Sequence, residues 1–242
     1  MRIYADCYEL MSELMRDLWE MGHIVHPKSM QNKDVSKDEG FLTKEILNYS
    51  YCLKSIDYSD FLFLFDRRSR EWCQKEFQER ISVTFTNPGQ AYLFRKDIWD
   101  EFLDSSGRFD YTYNERINPF RNIPLLVDEL KRNPDTRQAI LSIWDRSIDL
   151  PNIGGKKRVP CSIYYQFLIR DNKLHIIYNQ RSADLVTHFG NDVYLAWSLK
   201  EYMAGVVGVE SGYLYHNIAS LHSYQKDWGT LTEGISKFHT SE

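Results

Sequence analysis

The chain has 242 residues and a mass of 28.8 kDa, 43% of them hydrophobic and 14% aromatic, with 30 Lys and Arg against 34 Asp and Glu. This composition supports a substantial core in one large domain or two small ones and excludes wholesale disorder. A formal charge of −4 offers no bulk attraction to nucleic acid, and no apolar run approaches the ~20 residues of a membrane-crossing helix, so neither partner is expected.

The start, Met1 to Asp6, lacks the apolar core of a secretory signal, and a cytoplasmic protein is expected. Residues 8–21 carry Leu10, Met11, Leu14, Met15 and Leu18 at helical spacing and end at Gly22, which predicts an amphipathic helix. Residues 26–39 are polar and read as loop. Further helices are predicted over 71–81 and 123–131, the latter closed by Asn133-Pro134. The pattern then changes: 139–144 is strand-like, and 161–169 and 174–182 are β-rich runs joined at Asp171-Asn172-Lys173 as a hairpin. Residues 193–207 are apolar nearly all round, as in a buried helix, and 212–222 return to strand composition. Helices first, then strands around one buried helix, predict an α+β fold with a mixed sheet, in a single domain over 1–242.

Four cysteines are widely scattered with no CxxC pair, which suggests neither a zinc ribbon nor a redox motif. Cys161 stands apart. It follows Val159-Pro160 at the start of a predicted strand, with Arg137, Lys156, Lys157, Arg158 and Arg181 elsewhere in its polar surroundings. Cationic neighbours turn a thiol into a thiolate nucleophile. The ordinary role of such a residue is a small buried apolar group, and on the residues alone both remain open.

The run Tyr178-Asn179-Gln180-Arg181-Ser182-Ala183-Asp184, one hairpin after Pro160-Cys161 and Gln166-Phe167, closely resembles the thymidylate synthase family. Asn133-Pro134-Asp135-Thr136-Arg137, Leu141-Ser142-Ile143-Trp144, Leu221-His222-Ser223-Tyr224 and Ile98-Trp99-Asp100-Glu101 resemble further elements of that family, in order. The likeness is strong from about 121 to 228 and weaker before that.

The resemblance implies a three-layer α+β fold whose mixed sheet packs against helices and against the sheet of a second subunit. It also implies a pyrimidine nucleoside monophosphate substrate, 5,10-methylenetetrahydrofolate as cosubstrate, and no metal. It assigns Cys161 as the nucleophile at C6 of the ring. Gln180, Arg181 and Ser182 would bind the nucleotide, with Arg137 reaching the phosphate of the partner in a homodimer. Forked guanidinium donors suit phosphate. The family's second arginine is replaced by Gln138. Lys28 would complete the phosphate site or be a solvated loop charge. Glu76, rather than Glu71 or Glu79, would shuttle protons, with Tyr113 beside the cysteine. His222 and Tyr224 would hold the sugar, and Trp99 and Asp184 the folate.

Eight residues after Asp184, where the synthases carry Asn, stands Asp192. An amide matches uracil, whereas a carboxylate sets acceptor against the O4 acceptor and instead suits the 4-amino group of cytosine. The same substitution marks the deoxycytidylate and cytidylate 5-hydroxymethyltransferase branch, which this chain most resembles. A one-residue gap would put Asn191 in the position, and Asp192 would then cap a helix starting at Val193. The polar end, 234–242, does not resemble the synthases' apolar closing tail, which favours water over hydride and so a hydroxymethyl product. A methyl-forming enzyme and an inert nucleotide- or RNA-binding relative are the other readings.

Overall fold

The computed structural model describes residues 1–66 and 68–239. The first half runs β1 (Arg2–Tyr4), α1 (Cys7–Met21), β2 (His23–Val25), β3 (Ser29–Met30), β4 (Lys33–Asp34), β5 (Thr43–Leu53), α2 (Arg68–Arg80), α3 (Lys96–Trp99), α4 (Tyr113–Ile117) and α5 (Pro119–Arg132). The second half runs β6 (Ile140–Ser142), β7 (Ser162–Arg170), β8 (Lys173–Gln180), β9 (Ala183–Asp184), α6 (Gly190–Val207), β10 (Glu210–Tyr224) and α7 (Trp228–His239).

Local chemistry sets the element ends. The Asp6 carboxylate accepts from the amides of Tyr8 and Glu9 and so caps α1, whose Leu10, Met11, Leu14, Met15 and Leu18 are buried. Pro119 enters the first turn of α5, where its missing N–H costs nothing, and Asn133 closes the helix. Asp171 and Asn172, at φ 52° and 59°, form the two-residue turn that folds β7 onto β8. Lys173, expected in that loop, already pairs with Arg170 in the ladder.

The sheet is mixed, in the order β1-β5-β10-β8-β7-β6, with β2 on β5 and β9 on β10. β10 runs antiparallel to β5 and parallel to β8. On one face, α1 packs on β5 and α6 on β8 and β10; α7 lies on α1, and α2 and α5 lie on α6. Along β8 the inward positions are Leu174, Ile176, Tyr178 and Gln180, so a polar amide is buried at the strand's end and needs partners.

Three features differ from the pattern read in the sequence. Helices do not simply precede strands: β5 comes early and lies inside the sheet. The predicted 26–39 loop contains the short β3–β4 hairpin. The buried helix α6 starts at Gly190 rather than Val193, so Asp192 lies inside its first turn and is not its cap. A π-helical turn, Leu185–Phe189, leads into α6, and Asp184 caps that turn through the amides of Val186 and Thr187. A Cβ on Gly190 would sit 1.8 Å from the Leu62 carbonyl oxygen, so only glycine permits this approach.

Most of the polar end forms α7; Thr240, Ser241 and Glu242 lie outside the described residues. Among the described residues no helix is long and apolar enough to cross a membrane.

Candidate active site

The β7–β8 hairpin brings Cys161 to Arg181. The Arg181 amide donates to the Cys161 carbonyl (2.8 Å). The guanidinium donates to the carbonyls of Pro160 (2.9 Å) and Val159 (3.1 Å) and places Nη2 3.7 Å from Cys161 Sγ. Gln31 Nε2 approaches the same sulfur at 3.7 Å, while its Oε1 accepts from the Val159 amide. Burial pushes the Cys161 thiol up, and the Arg181 and Arg158 cations draw it back toward thiolate. Cys7, Cys52 and Cys73 are buried in the core. Burial raises all three, Cys7 to about 12.

Cys161 lines a cleft of about 330 Å³. Arg181, Ser182, Asp192, His222 and Tyr224 line it too, as do Glu76, Tyr113, Trp99 and Asp184. Sequence positions as distant as 76 and 224 therefore converge on one site. His222 and Tyr224 alternate along β10, with ring centroids 5.1 Å apart. Glu76 accepts from Arg80 Nε at 2.8 Å, one turn along α2, and that guanidinium lies 3.8 Å from the centroid of the Tyr113 ring. The Tyr113 hydroxyl is 3.1 Å from Ser162 Oγ, which is 2.7 Å from the Tyr178 hydroxyl. Of the three glutamates on α2 considered from the sequence, Glu76 and Glu79 reach the cleft wall. Glu79 is committed to the amides of Gln90 and Ala91.

Asp192 and its neighbour point in different directions. Asp192 Oδ2 accepts from Gln180 Nε2 at 2.6 Å inside the cleft wall. Burial pushes its carboxyl up to about 6, against the pull of that hydrogen bond and of Arg80 and Arg95. Asn191 is buried: its Nδ2 donates to the Thr187 carbonyl, and its Oδ1 accepts from the Cys73 thiol at 3.1 Å.

Three of the expected residues do not line the cleft. Gln180 is 2% exposed and lies behind Asp192, bonded to it and to His216. Lys28 is exposed, and from its loop Ser29, Met30 and Gln31 line the cleft instead. Arg137 is exposed, away from the cleft of its own chain.

Two contributors carry no motif. Gln31 is a lone loop residue. Arg158, three residues before the cysteine, is 8% exposed, with its guanidinium 4.7 Å from both the Trp99 and Phe102 rings and 5.4 Å from Tyr111. Its Nε has no partner, and among the described residues no carboxylate pairs with it. Removing this cation as Arg158→Gln should move the pH midpoint of Cys161 alkylation upward, because one of the two charges favouring thiolate is lost. Iodoacetamide labelling followed across pH checks this; an unmoved midpoint would leave Arg158 a packing group.

The family model described as thymidylate synthase matches residues 86–241. The chain belongs to the thymidylate synthase family. A protein of Methanosarcina acetivorans named "Putative thymidylate synthase" is 34% identical over 179 residues, 67% of this chain and 79% of the relative. Its namesake from Methanosarcina mazei gives the same figures. A "Deoxyuridylate hydroxymethyltransferase" of Bacillus phage SP01 is 32% identical over 154 residues, 57% of this chain and 40% of the phage protein.

Thymidylate synthase family enzymes transfer a one-carbon unit from methylenetetrahydrofolate to a pyrimidine nucleotide. The cleft fits such a cosubstrate. Trp99, Phe102, Phe109 and Tyr111 give the cleft aromatic surface, the Phe102 and Phe109 rings inclined at 57° and 66° to Trp99, and Asp184, which caps the π turn through Oδ1, also lines it.

Proposed function

We propose that the chain is a deoxycytidylate or cytidylate 5-hydroxymethyltransferase. The observation that carries the reading is the direction of Asp192: a carboxylate held by Gln180 faces the cleft that holds Cys161, while Asn191 is turned into the core. A carboxylate acceptor complements the 4-amino group of cytosine.

Cys161 Sγ adds to C6, and the ring's π pair moves to C5, which bonds the incoming carbon. Bound 5,10-methylenetetrahydrofolate supplies that carbon at the oxidation level of formaldehyde. Arg181 serves twice, holding the thiolate form of Cys161 and presenting donors to the nucleotide phosphate. Glu76, anchored by Arg80 and partly open to the cleft, relays the proton lost from C5. As that proton leaves, its bond pair forms a double bond from C5 to the new carbon, and the carbon–nitrogen bond to the departing tetrahydrofolate breaks. Water then bonds to the carbon, the double bond shifts to C5–C6 as the C6–S bond breaks, and the proton of the water leaves by the same relay. His222 and Tyr224 hold the sugar hydroxyl. Arg137, exposed and outside its own cleft, serves the phosphate site of a second subunit in a homodimer. Half-buried Ile163, Ile177 and Tyr215, on the sheet face opposite the helices, support that assembly.

The deciding measurement is product mass after incubation with methylenetetrahydrofolate and each of dCMP, CMP and dUMP. The expected result is a cytidine nucleotide heavier by one CH2O unit, with tetrahydrofolate released. Turnover of dUMP alone overturns the cytosine reading, and an absorbance rise from dihydrofolate marks a methyl-forming enzyme instead.

A second reading has its own support. The phage relative is named for deoxyuridylate, and a carboxyl raised to about 6 can donate to O4 of uracil when protonated. The same panel, repeated on either side of pH 6, separates the two.

A further inference from the structure

We infer that His216 and Tyr51 set the hydrogen-bonding polarity of Asp192, and with it the choice of pyrimidine, through the amide of Gln180. The inference rests on the reading of Asp192 as the residue facing position 4 of the ring.

Four side chains form one unbroken line. The Tyr51 hydroxyl is 2.9 Å from His216 Nδ1, His216 Nε2 is 3.0 Å from Gln180 Oε1, and Gln180 Nε2 is 2.6 Å from Asp192 Oδ2. Tyr51 and His216 are fully buried and Gln180 is 2% exposed, so water cannot replace any missing partner. The strands fix the alignment: Tyr51 on β5 is the direct register partner of His216 on β10, whose other neighbour is Tyr178 on β8. Tyr178 stacks on the imidazole at 4.4 Å and 15°, and the Phe189 ring lies 6.2 Å away, also nearly parallel. None of these residues except Asp192 lines the cleft.

A neutral imidazole has one donor and one acceptor. Burial keeps His216 neutral by pushing it down to about 3. The Gln180 carbonyl oxygen facing Nε2 requires the proton there, which leaves Nδ1 to accept from Tyr51. The amide must then turn its NH2 toward Asp192 Oδ2, a donor that favours the ionised carboxylate, both of whose oxygens accept. The reverse tautomer would reverse every bond in the line. Nε2 would accept from the amide NH2, and the amide oxygen would face Asp192 and require a protonated carboxyl. A carboxylate suits an amino group at position 4. Without the amide donor the carboxyl holds its proton more tightly, and only where its O–H turns to the cleft rather than to Gln180 does it suit a carbonyl. The tautomer of a buried histidine therefore biases the ionisation of Asp192, and with it the base accepted in the cleft. The charged groups acting on Asp192 are Arg80, Arg95 and Asp184, and none is within ion-pairing distance among the described residues.

The experiment compares kcat/KM for dCMP, CMP, dUMP and UMP in the wild type, Tyr51→Phe and His216→Phe, both of which keep an aromatic ring in place. Each variant should lower the cytosine-to-uracil ratio by about tenfold or more, since a buried amide loses its orienting partner. A parallel fall for all four nucleotides with an unchanged ratio overturns the inference. Nitrogen-15 shifts of labelled histidine give a second readout that needs no turnover: the Nε2–H tautomer of His216 is expected, and the Nδ1–H form overturns the inference. Should His216→Phe not fold, Tyr51→Phe and the wild-type spectrum carry the test. A wild type that prefers uracil nucleotides defeats the cytosine reading, whereas an unmoved ratio in the variants defeats the relay.

Discussion

Replacing Cys161 by alanine should abolish exchange of the C5 hydrogen and all product formation, a loss of about 10⁴-fold or more, as expected when a covalent nucleophile is removed. Tritium release from a 5-tritiated nucleotide measures it directly. The fold should survive, because the side chain is partly exposed at the cleft and its loss costs roughly 1 kcal/mol or less. Nucleotide affinity should change little, since Arg181, Ser182 and His222 remain in place. Retained tritium release from the variant would refute the role of Cys161. Binding without release in the wild type would instead identify an inert relative.

Asp192→Asn should invert the base preference. An amide donates to O4 of uracil where the carboxylate repelled it, and the cytosine-to-uracil ratio of kcat/KM should fall about 100-fold, equivalent to roughly 3 kcal/mol for a mismatched buried pair. Unchanged preference would leave Asp192 without a role in reading the base.

The same substitution has a stability signature. Burial raises the folded carboxyl from 3.8 to about 6, so the native state holds its proton more tightly than the unfolded chain. That contribution is fully present below pH 4 and is lost as pH rises through about 6. Asparagine carries no such loss. The variant should gain on the wild type between pH 4 and 7 by about 3 kcal/mol, and urea unfolding at the two pH values measures it. In the wild type, preference for the amino base should strengthen as pH rises through about 6, because only the ionised carboxyl is a pure acceptor.

Local signals made part of this fold legible. The apolar spacing of α1, the Asp171-Asn172 turn and the alternation along β8 each follow from residues close in sequence. β5 escaped because β10, its partner along most of its length, is remote in sequence and because Lys44, Glu45, Asn48 and Ser50 break up its apolar pattern. At the site, Cys161, Arg181, Ser182, Asp184, His222 and Tyr224 lie in motifs, and the structure brings them together. Gln31 acts singly from a loop, with no spacing to announce it, and Arg158 stands in the sequence only as one of several cations near Cys161. His216 looked like any polar residue in a strand, since its meaning depends on what faces it from β5 and β8.

The approach to α6 bears on how such a chain is aligned with its relatives. A π turn takes up about one residue more than an α turn, which shifts the helical phase beyond it by roughly 100°. Leu185–Phe189 is such a turn, set between the Asp184 cap and the helix that carries Asn191 and Asp192. An unbroken α-helix over the same residues would aim Asn191 along the direction that Asp192 now takes. Which side chain faces the cleft is thus written partly in backbone winding, and not in the distance from Asp184 alone.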